Sequence, residues 1–145
     1  MIDRELADEK VANGWIRAWL AFETLAVNED VVAKALAELI TKLEADARAK
    51  IYKKNFSAIE RRENPTPKIR LAYSQTAELE LVAKNFDDLV GIVIEYGPSA
   101  IEILEPGQIS INIAQAQGIL NTVGRIMHQF AAAGLGGIVF VRGQK

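Results

Sequence analysis

The stretch Asn85–Pro106, NFDDLVGIVIEYGPSAIEILEP, limits the fold more than any other part of the chain. It is the densest apolar segment, and it is closed by two stop signals, Gly97-Pro98 and Pro106-Gly107. Val90, Ile92, Val93 and Ile94 are β-branched and favour a strand. The punctuation favours a helix instead. Asp87 and Asp88 supply an N-cap and an acidic first turn, and Gly97 followed by Pro98 is a helix C-terminal stop. Leu89, Val93 and Tyr96 fall on one helical face, with Ile92 beside them. Helix propensities differ by only a few tenths of a kcal/mol per residue, so capping decides. The sequence predicts a helix over 87–96 and a strand over 100–105 with Ile101, Ile103 and Leu104 buried. A helix in that place makes the connection a crossover, and the predicted sheet is partly parallel.

The rest of the 145-residue chain bounds the problem more loosely. Half the residues are hydrophobic and a quarter charged, an ordinary globular composition. There is no cysteine, which excludes disulfides, thiolate metal sites and cysteine nucleophiles and suits a reducing cytoplasm. The N-terminal MIDRELADEK lacks the apolar core of a signal peptide, and no run of about 18 apolar residues exists to span a membrane. Charge is uneven. Residues 1–47 carry five basic and ten acidic side chains, residues 48–70 eight and two, and residues 71–145 four and seven. The block at 48–70 is the one strong asymmetry.

Residues 3–26 predict a helix capped by Asp3. Val11, Trp15, Trp19 and Phe22 recur at helical spacing, with Ala12, Ile16 and Leu20 in an adjacent row and a break available at Asn13-Gly14. Aromatics so spaced serve a core or a subunit interface, or alternatively a ligand platform. Asn28 starts a second helix that runs to about Glu63, where Asn64-Pro65 and Pro67 stop it. At 1.5 Å per residue it would be roughly 50 Å long. Its apolar stripe changes sides. Val32, Leu36, Leu39, Ile40, Leu43 and Ala47 share one face, whereas Tyr52, Phe56 and Ile59 share a nearly opposite one. Either the helix breaks near 47–50 or its halves pack on different partners, and the second arrangement is the one expected. Opposite Tyr52, Phe56 and Ile59 lie Lys50, Lys53, Lys54 and Arg61. With Arg62, Lys68 and Arg70 they are candidates for nucleic acid, phosphate or an acidic partner, against the plainer reading of a solvated face.

NPTP, residues 64–67, reads as a stiff connector. KIRLAY and AELELVA then alternate with a period of two, which predicts a hairpin of strands 68–73 and 77–84 turning at Ser74-Gln75-Thr76. A helix over 76–86 fits Leu79, Val82 and Phe86 and stays open as the alternative. Downstream, 113–133 predicts a helix with Ile119, Leu120, Val123, Ile126, Met127 and Phe130 at three- and four-residue spacing. Gly134 ends it, and a strand follows at 138–141, completing a βαβ unit from residue 100.

The order helix, aromatic-Gly-Pro turn, strand ending Glu-Pro, longer helix resembles the C-terminal extension of WYL-domain transcriptional regulators. The residues that carry the resemblance are Leu89, Val93, Tyr96, Gly97, Pro98, Glu102, Leu104, Glu105 and Pro106, with the two alternating segments preceding them in the same order. It covers about half the chain. It implies a ferredoxin-like α/β module and a role in assembly. The sequence has no winged-helix region and no WYL segment, so the regulators' DNA-binding and effector-sensing functions are not implied.

No motif reaches a catalytic assignment. His128 is the single histidine and has no nucleophile paired with it in sequence. Leu135-Gly136-Gly137 follows a helix, whereas a phosphate cradle needs its glycines before one. No metal site and no cofactor is expected. The expected architecture is α+β, with a helical hairpin over 1–64 and a small ferredoxin-like module with a mixed sheet over 65–145. The expected function is a non-enzymatic interaction or regulatory module in the cytoplasm. It would be a homo-oligomer, most simply a dimer, with Trp15, Trp19, Phe22, Tyr52, Phe56 and Ile59 as interface candidates. A nucleic-acid-associated protein is the alternative. An enzyme joining His128 to Glu102 or Glu105 is the third reading.

Overall fold

The computed structural model describes residues 1–134. In chain order they form α1 (Arg4–Ala12), β1 (Ile16–Ala26), α2 (Glu29–Glu44), β2 (Ala49–Phe56), β3 (Glu60–Thr66), β4 (Ile69–Ala83), α3 (Phe86–Tyr96), β5 (Ala100–Glu105) and α4 (Ile113–Ala132). The chain divides into two compact units, Met1–Ile109 and Ser110–Lys145. The expected strand at 138–141, and with it the βαβ unit, lies outside the described residues.

The first unit is built on one five-stranded antiparallel sheet of order β2-β4-β1-β5, with β3 also paired to β4. β4 is long enough to hold two neighbours along one edge. Its C-terminal half pairs with β2 and its N-terminal half with β3. β1 pairs with it from Ile16↔Ala83 to Ala26↔Tyr73. β4 and β5 run the same way but lie on either side of β1, so no parallel pair forms. The mixed sheet expected from the crossover is therefore corrected: α3 does cross over, but it skips a strand.

Ile16, Ala18, Leu20 and Phe22 of β1 face the same side as Ala77, Leu79, Leu81 and Ala83 of β4, joined by Ala49 and Ile51 of β2. Leu36, Ile40 and Leu43 of α2 and Leu89, Ile92 and Tyr96 of α3 close this core. Each fully buried Leu, Ile or Phe contributes about 1.5–3 kcal/mol of apolar burial. On the opposite side of the sheet a smaller cluster joins Ala7 of α1 to Tyr52 and Val82, flanked by Ile2, Val11 and Trp15.

The helical hairpin over 1–64 is overturned. Only 4–12 and 29–44 are helical, and 16–26 is the central strand. Its period of two is blurred because both its faces are covered: Arg17 and Ala21, on the side away from the main core, are buried as well. Without that alternation, Trp15, Trp19 and Phe22 match a helical spacing by coincidence. The second helix stops at Glu44. Asp46 accepts the backbone N–H of Arg48 at 2.9 Å, and this local Asx-type bond turns the chain into β2. The change of stripe near residue 47 thus marks a break in the helix, and Ile51 and Tyr52 point to opposite faces because they are neighbours in a strand.

NPTP is the bulged end of the β3–β4 hairpin. Thr66 pairs with Ile69 across a two-residue turn at Pro67-Lys68, and the register shifts between Glu63 and Thr66. Strands on both sides of residue 64 share one sheet, so the connector is internal to it. Ser74-Gln75-Thr76 does not turn. KIRLAY and AELELVA are parts of the single 15-residue strand β4, and Ser74 is buried within it, accepting a bond from Arg62 Nε at 2.9 Å.

The segment Asn85–Pro106 folds as expected in outline. Asn85 rather than Asp87 is the N-cap, accepting from the Asp88 N–H, while Asp87 and Asp88 occupy the first turn. Gly97 ends the helix in the left-handed conformation at φ 60°, a position that strains any residue with a Cβ. The expected burial of β5 is corrected. Every residue of this sheet-edge strand is exposed, Ile101, Ile103 and Leu104 included. Among the described residues no helix is long and apolar enough to cross a membrane.

This packing predicts a sharp contrast within α2. Leu36→Ala opens a cavity in the main core and should cost about 2–5 kcal/mol. Val31→Ala, on an exposed position of the same helix, should stay within about 0.5 kcal/mol. Urea unfolding followed by tryptophan fluorescence measures both.

Candidate interaction surfaces

The basic block is neither a helix nor one stripe. Lys50, Lys53 and Lys54 lie on β2, Arg61 and Arg62 on β3, Lys68 in the hairpin turn and Arg70 at the start of β4. The β2 cations are largely answered locally. Lys54 Nζ sits 2.7 Å from Glu44 and Lys53 Nζ 3.5 Å from Glu80. Arg62 reaches Glu60 at 3.2 Å and Glu23 at 3.7 Å. Among the described residues, Arg61, Lys68 and Arg70 form no ion pair and are exposed. The strands gather these three on a two-stranded ribbon, a placement that a helical reading of 48–63 could not give.

The six aromatic and apolar interface candidates do not share a face. Phe22 is in the main core. Tyr52 and Trp15 belong to the small cluster under α1. Ile59 is half-buried and Phe56 exposed near the β2–β3 connection. Trp19, half-buried, lies on the sheet face away from α2 and α3, its Nε1 donating to Glu78 Oε1 at 3.1 Å. It lines a cleft of about 300 Å³ with Lys53, Lys54, Asn55, Glu78, Leu79 and Glu80. Glu80 accepts the Tyr52 hydroxyl proton at 2.7 Å, and this bond holds its carboxyl below the usual range. Burial raises the Tyr52 hydroxyl in turn. Glu102 is in register with Trp19, so three carboxylates, Glu78, Glu80 and Glu102, stand around the cleft against Lys53 and Lys54.

Two arginines tie elements together. Arg17, almost fully buried, donates from Nε to Glu105 at 2.7 Å and from Nη2 to Asp8, and its guanidinium lies 5.0 Å from the Tyr52 ring centre. It links α1, β1, β2 and β5. Among the described residues its Nη1 is buried without a hydrogen-bond partner, and the Tyr52 ring lies against the guanidinium. Arg48 donates from Nε and Nη2 to Asp46 and from Nη2 to Glu95. Tyr96 donates its hydroxyl to Asp46 at 2.9 Å. Gly91 on α3 leaves room for this knot, since a Cβ there would come within 2.7 Å of Arg48 Nη1. Arg48 holds the Asp46 carboxyl well below its ordinary value, and burial pushes the Tyr96 hydroxyl up to about 12. Arg17 was missed in sequence because a buried charge in a strand has no periodic signature, and Arg48 because its partner Glu95 is distant along the chain.

Glu105 is engaged by Arg17, Glu102 lies on the open sheet face, and His128 is on α4 in the second unit. Among the described residues no group of three or more His, Asp or Glu could hold a metal ion.

The second unit contributes α4, which begins with a capping box between Asn112 and Gln115. Only Ala131 of its twenty residues is buried, although Ile113, Leu120, Val123, Met127 and Phe130 are large and apolar. Leu120 is 67% exposed and Phe130 46%.

A pH dependence follows from the Asp46 knot. A carboxyl lowered in the folded state stabilises above its unfolded value of 3.8, and that stability is lost as pH falls towards the lower folded value. Asp46→Asn should therefore cost about 1.5–3 kcal/mol at pH 7. Its deficit relative to the wild type should shrink as pH drops below 4, read by urea unfolding at pH 7 and pH 3.

No curated protein and no solved structure gives a significant match to the chain. A family model does, over residues 17–142, a span that takes in β1 through α4. By that match the chain belongs to the MJ0538 family.

Proposed function

We propose that this chain is a non-enzymatic interaction module that assembles with copies of itself, with a ferredoxin-like first unit. The arrangement supports that fold if β2 and β3 count as one interrupted edge strand. The order is then strand, helix, strand, strand, helix, strand, with both crossover helices on one face. The helix–turn–strand order of Phe86–Glu105 is consistent with the resemblance to the WYL-regulator extension, from which shape and assembly alone are taken. A cytoplasmic setting belongs to the same reading and rests on the cysteine-free sequence.

The observation that carries the reading is α4. A twenty-residue helix whose large apolar side chains stay exposed is a surface that association would bury. Its charged residue is Arg125 alone, so little hydration compensates the exposed carbon. Light scattering over a hundredfold concentration range should give a mass of at least twice 15.9 kDa. A monomer throughout overturns the reading.

A second reading is favoured by the hairpin. Among the described residues, Arg61, Lys68 and Arg70 form no ion pair and stand exposed on one ribbon, Arg61 on one face and Arg70 on the other, so a phosphate backbone would wrap the hairpin to meet all three. Three phosphate contacts on duplex DNA give a salt slope of roughly −2.7, so raising salt from about 50 to 200 mM should weaken binding about 40-fold. Replacing all three by Gln should abolish most of that dependence in a fluorescence-anisotropy titration. Absence of binding at low salt removes this reading.

A further inference from the structure

We propose that α4 forms a helix–helix seam with α4 of a second copy of this chain, an inference that rests on the self-assembly reading and names its surface. Ile113, Ala116, Leu120, Val123, Met127 and Phe130 follow one another at spacings of three, four, three, four and three residues. That is the 3.5-residue repeat of a helix pair in which each side chain inserts between four of its partner. It is sustained along the whole helix, which spans roughly 30 Å at 1.5 Å per residue. Five of the six seam residues are large, apolar and exposed.

The flanks fit the same partner. Ile119 and Ile126 widen the seam on one side, while Gln117, Gly124 and Ala131 keep the other side small and uncharged. The polar residues Gln115, Asn121, Thr122, Arg125, His128 and Gln129 fall on the opposite face. The formal charge on α4, Arg125, lies on the face opposite the seam, so no charged side chain borders the seam to select a charged partner helix. An uncharged helix with the same repeat fits that surface. Among the described helices, α2 and α3 bury their apolar stripes in the main core and α1 packs under the sheet. The helix that still offers a matching stripe is α4 itself, and a two-fold axis brings it against its own copy.

The test uses the full chain. Leu120→Glu/Met127→Glu should halve the light-scattering mass to 15.9 kDa, with the fluorescence of Trp15 and Trp19, in the first unit, unchanged. Asn121→Glu/Gln129→Glu, on the polar face, should leave the dimer intact. A wild-type oligomer that survives the Leu120/Met127 change overturns the seam and leaves self-assembly standing. A wild-type monomer at every concentration overturns both. Because the chain has no native cysteine, Leu120→Cys/Val123→Cys gives a check independent of the charge variants. At the mid-point of the seam these positions meet in either a parallel or an antiparallel pair. Mild oxidation should give a covalent dimer on a denaturing gel, whereas Asn121→Cys/Arg125→Cys should not. Absence of the Leu120/Val123 cross-link overturns the seam.

Discussion

The β1–β4 ladder is the interaction on which the first unit depends. Its pairing from Ile16↔Ala83 to Ala26↔Tyr73 is unbroken, and one side of it supplies Ala18, Leu20, Phe22, Ala77, Leu79 and Leu81 to the core. β5 attaches to β1, and β2 and β3 attach to β4. A slip of β4 by one residue against β1 would turn Leu79 and Leu81 out of the core and bring Glu78 and Glu80 in. Burying a carboxylate in an apolar layer costs far more than any single contact in the ladder contributes, so the register is fixed by what must stay out as much as by what goes in.

The arginines act on top of that ladder. Arg17 sits in the central strand, where the sheet alone would leave a buried cation, and Asp8, Glu105 and the Tyr52 ring answer it from three different elements. Both carboxylates are more than half exposed, so the ion pairs are screened. Their greater effect is geometric: a buried guanidinium admits few placements of α1 over the sheet. Arg48 does the same between the α2–β2 turn and α3, and the glycine at position 91 is the space it needs.

What could be read in the sequence was whatever has a local cause. Asp3, Asn28 and Gly97 mark helix ends through bonds within a few residues, and each does so in the structure. The apolar spacing over 113–132 gave α4 because nothing but its own periodicity was needed. Residues 16–26 were misassigned because covering both faces of a central strand removes the alternation by which strands are recognised. Residues 49–66 were misassigned because the break rests on one side chain, Asp46, in a segment whose composition tolerates either state. The basic residues were identified correctly as types, but their grouping on a ribbon depends on the register with β4, which is a long-range fact. The apolar spacing of α4 was present in the sequence, and only its exposure was missing.

Those two surfaces also differ in how their charge acts. Around Trp19 the open sheet face carries Glu78, Glu80 and Glu102, while the ribbon carries Arg61, Arg62, Lys68 and Arg70 against Glu60 and Glu63. Lys53 and Lys54 offset part of the first, so of the two surfaces the ribbon has the net positive charge and is the one to which a polyanion would be drawn. α4 has neither field. On the proposed self-assembly, association through α4 would be governed by apolar area and insensitive to salt, whereas contacts at the ribbon would weaken as ions screen them. Salt therefore separates the two kinds of association in a single molecule, and a self-assembly that persisted at high ionic strength would have to be carried by the helix.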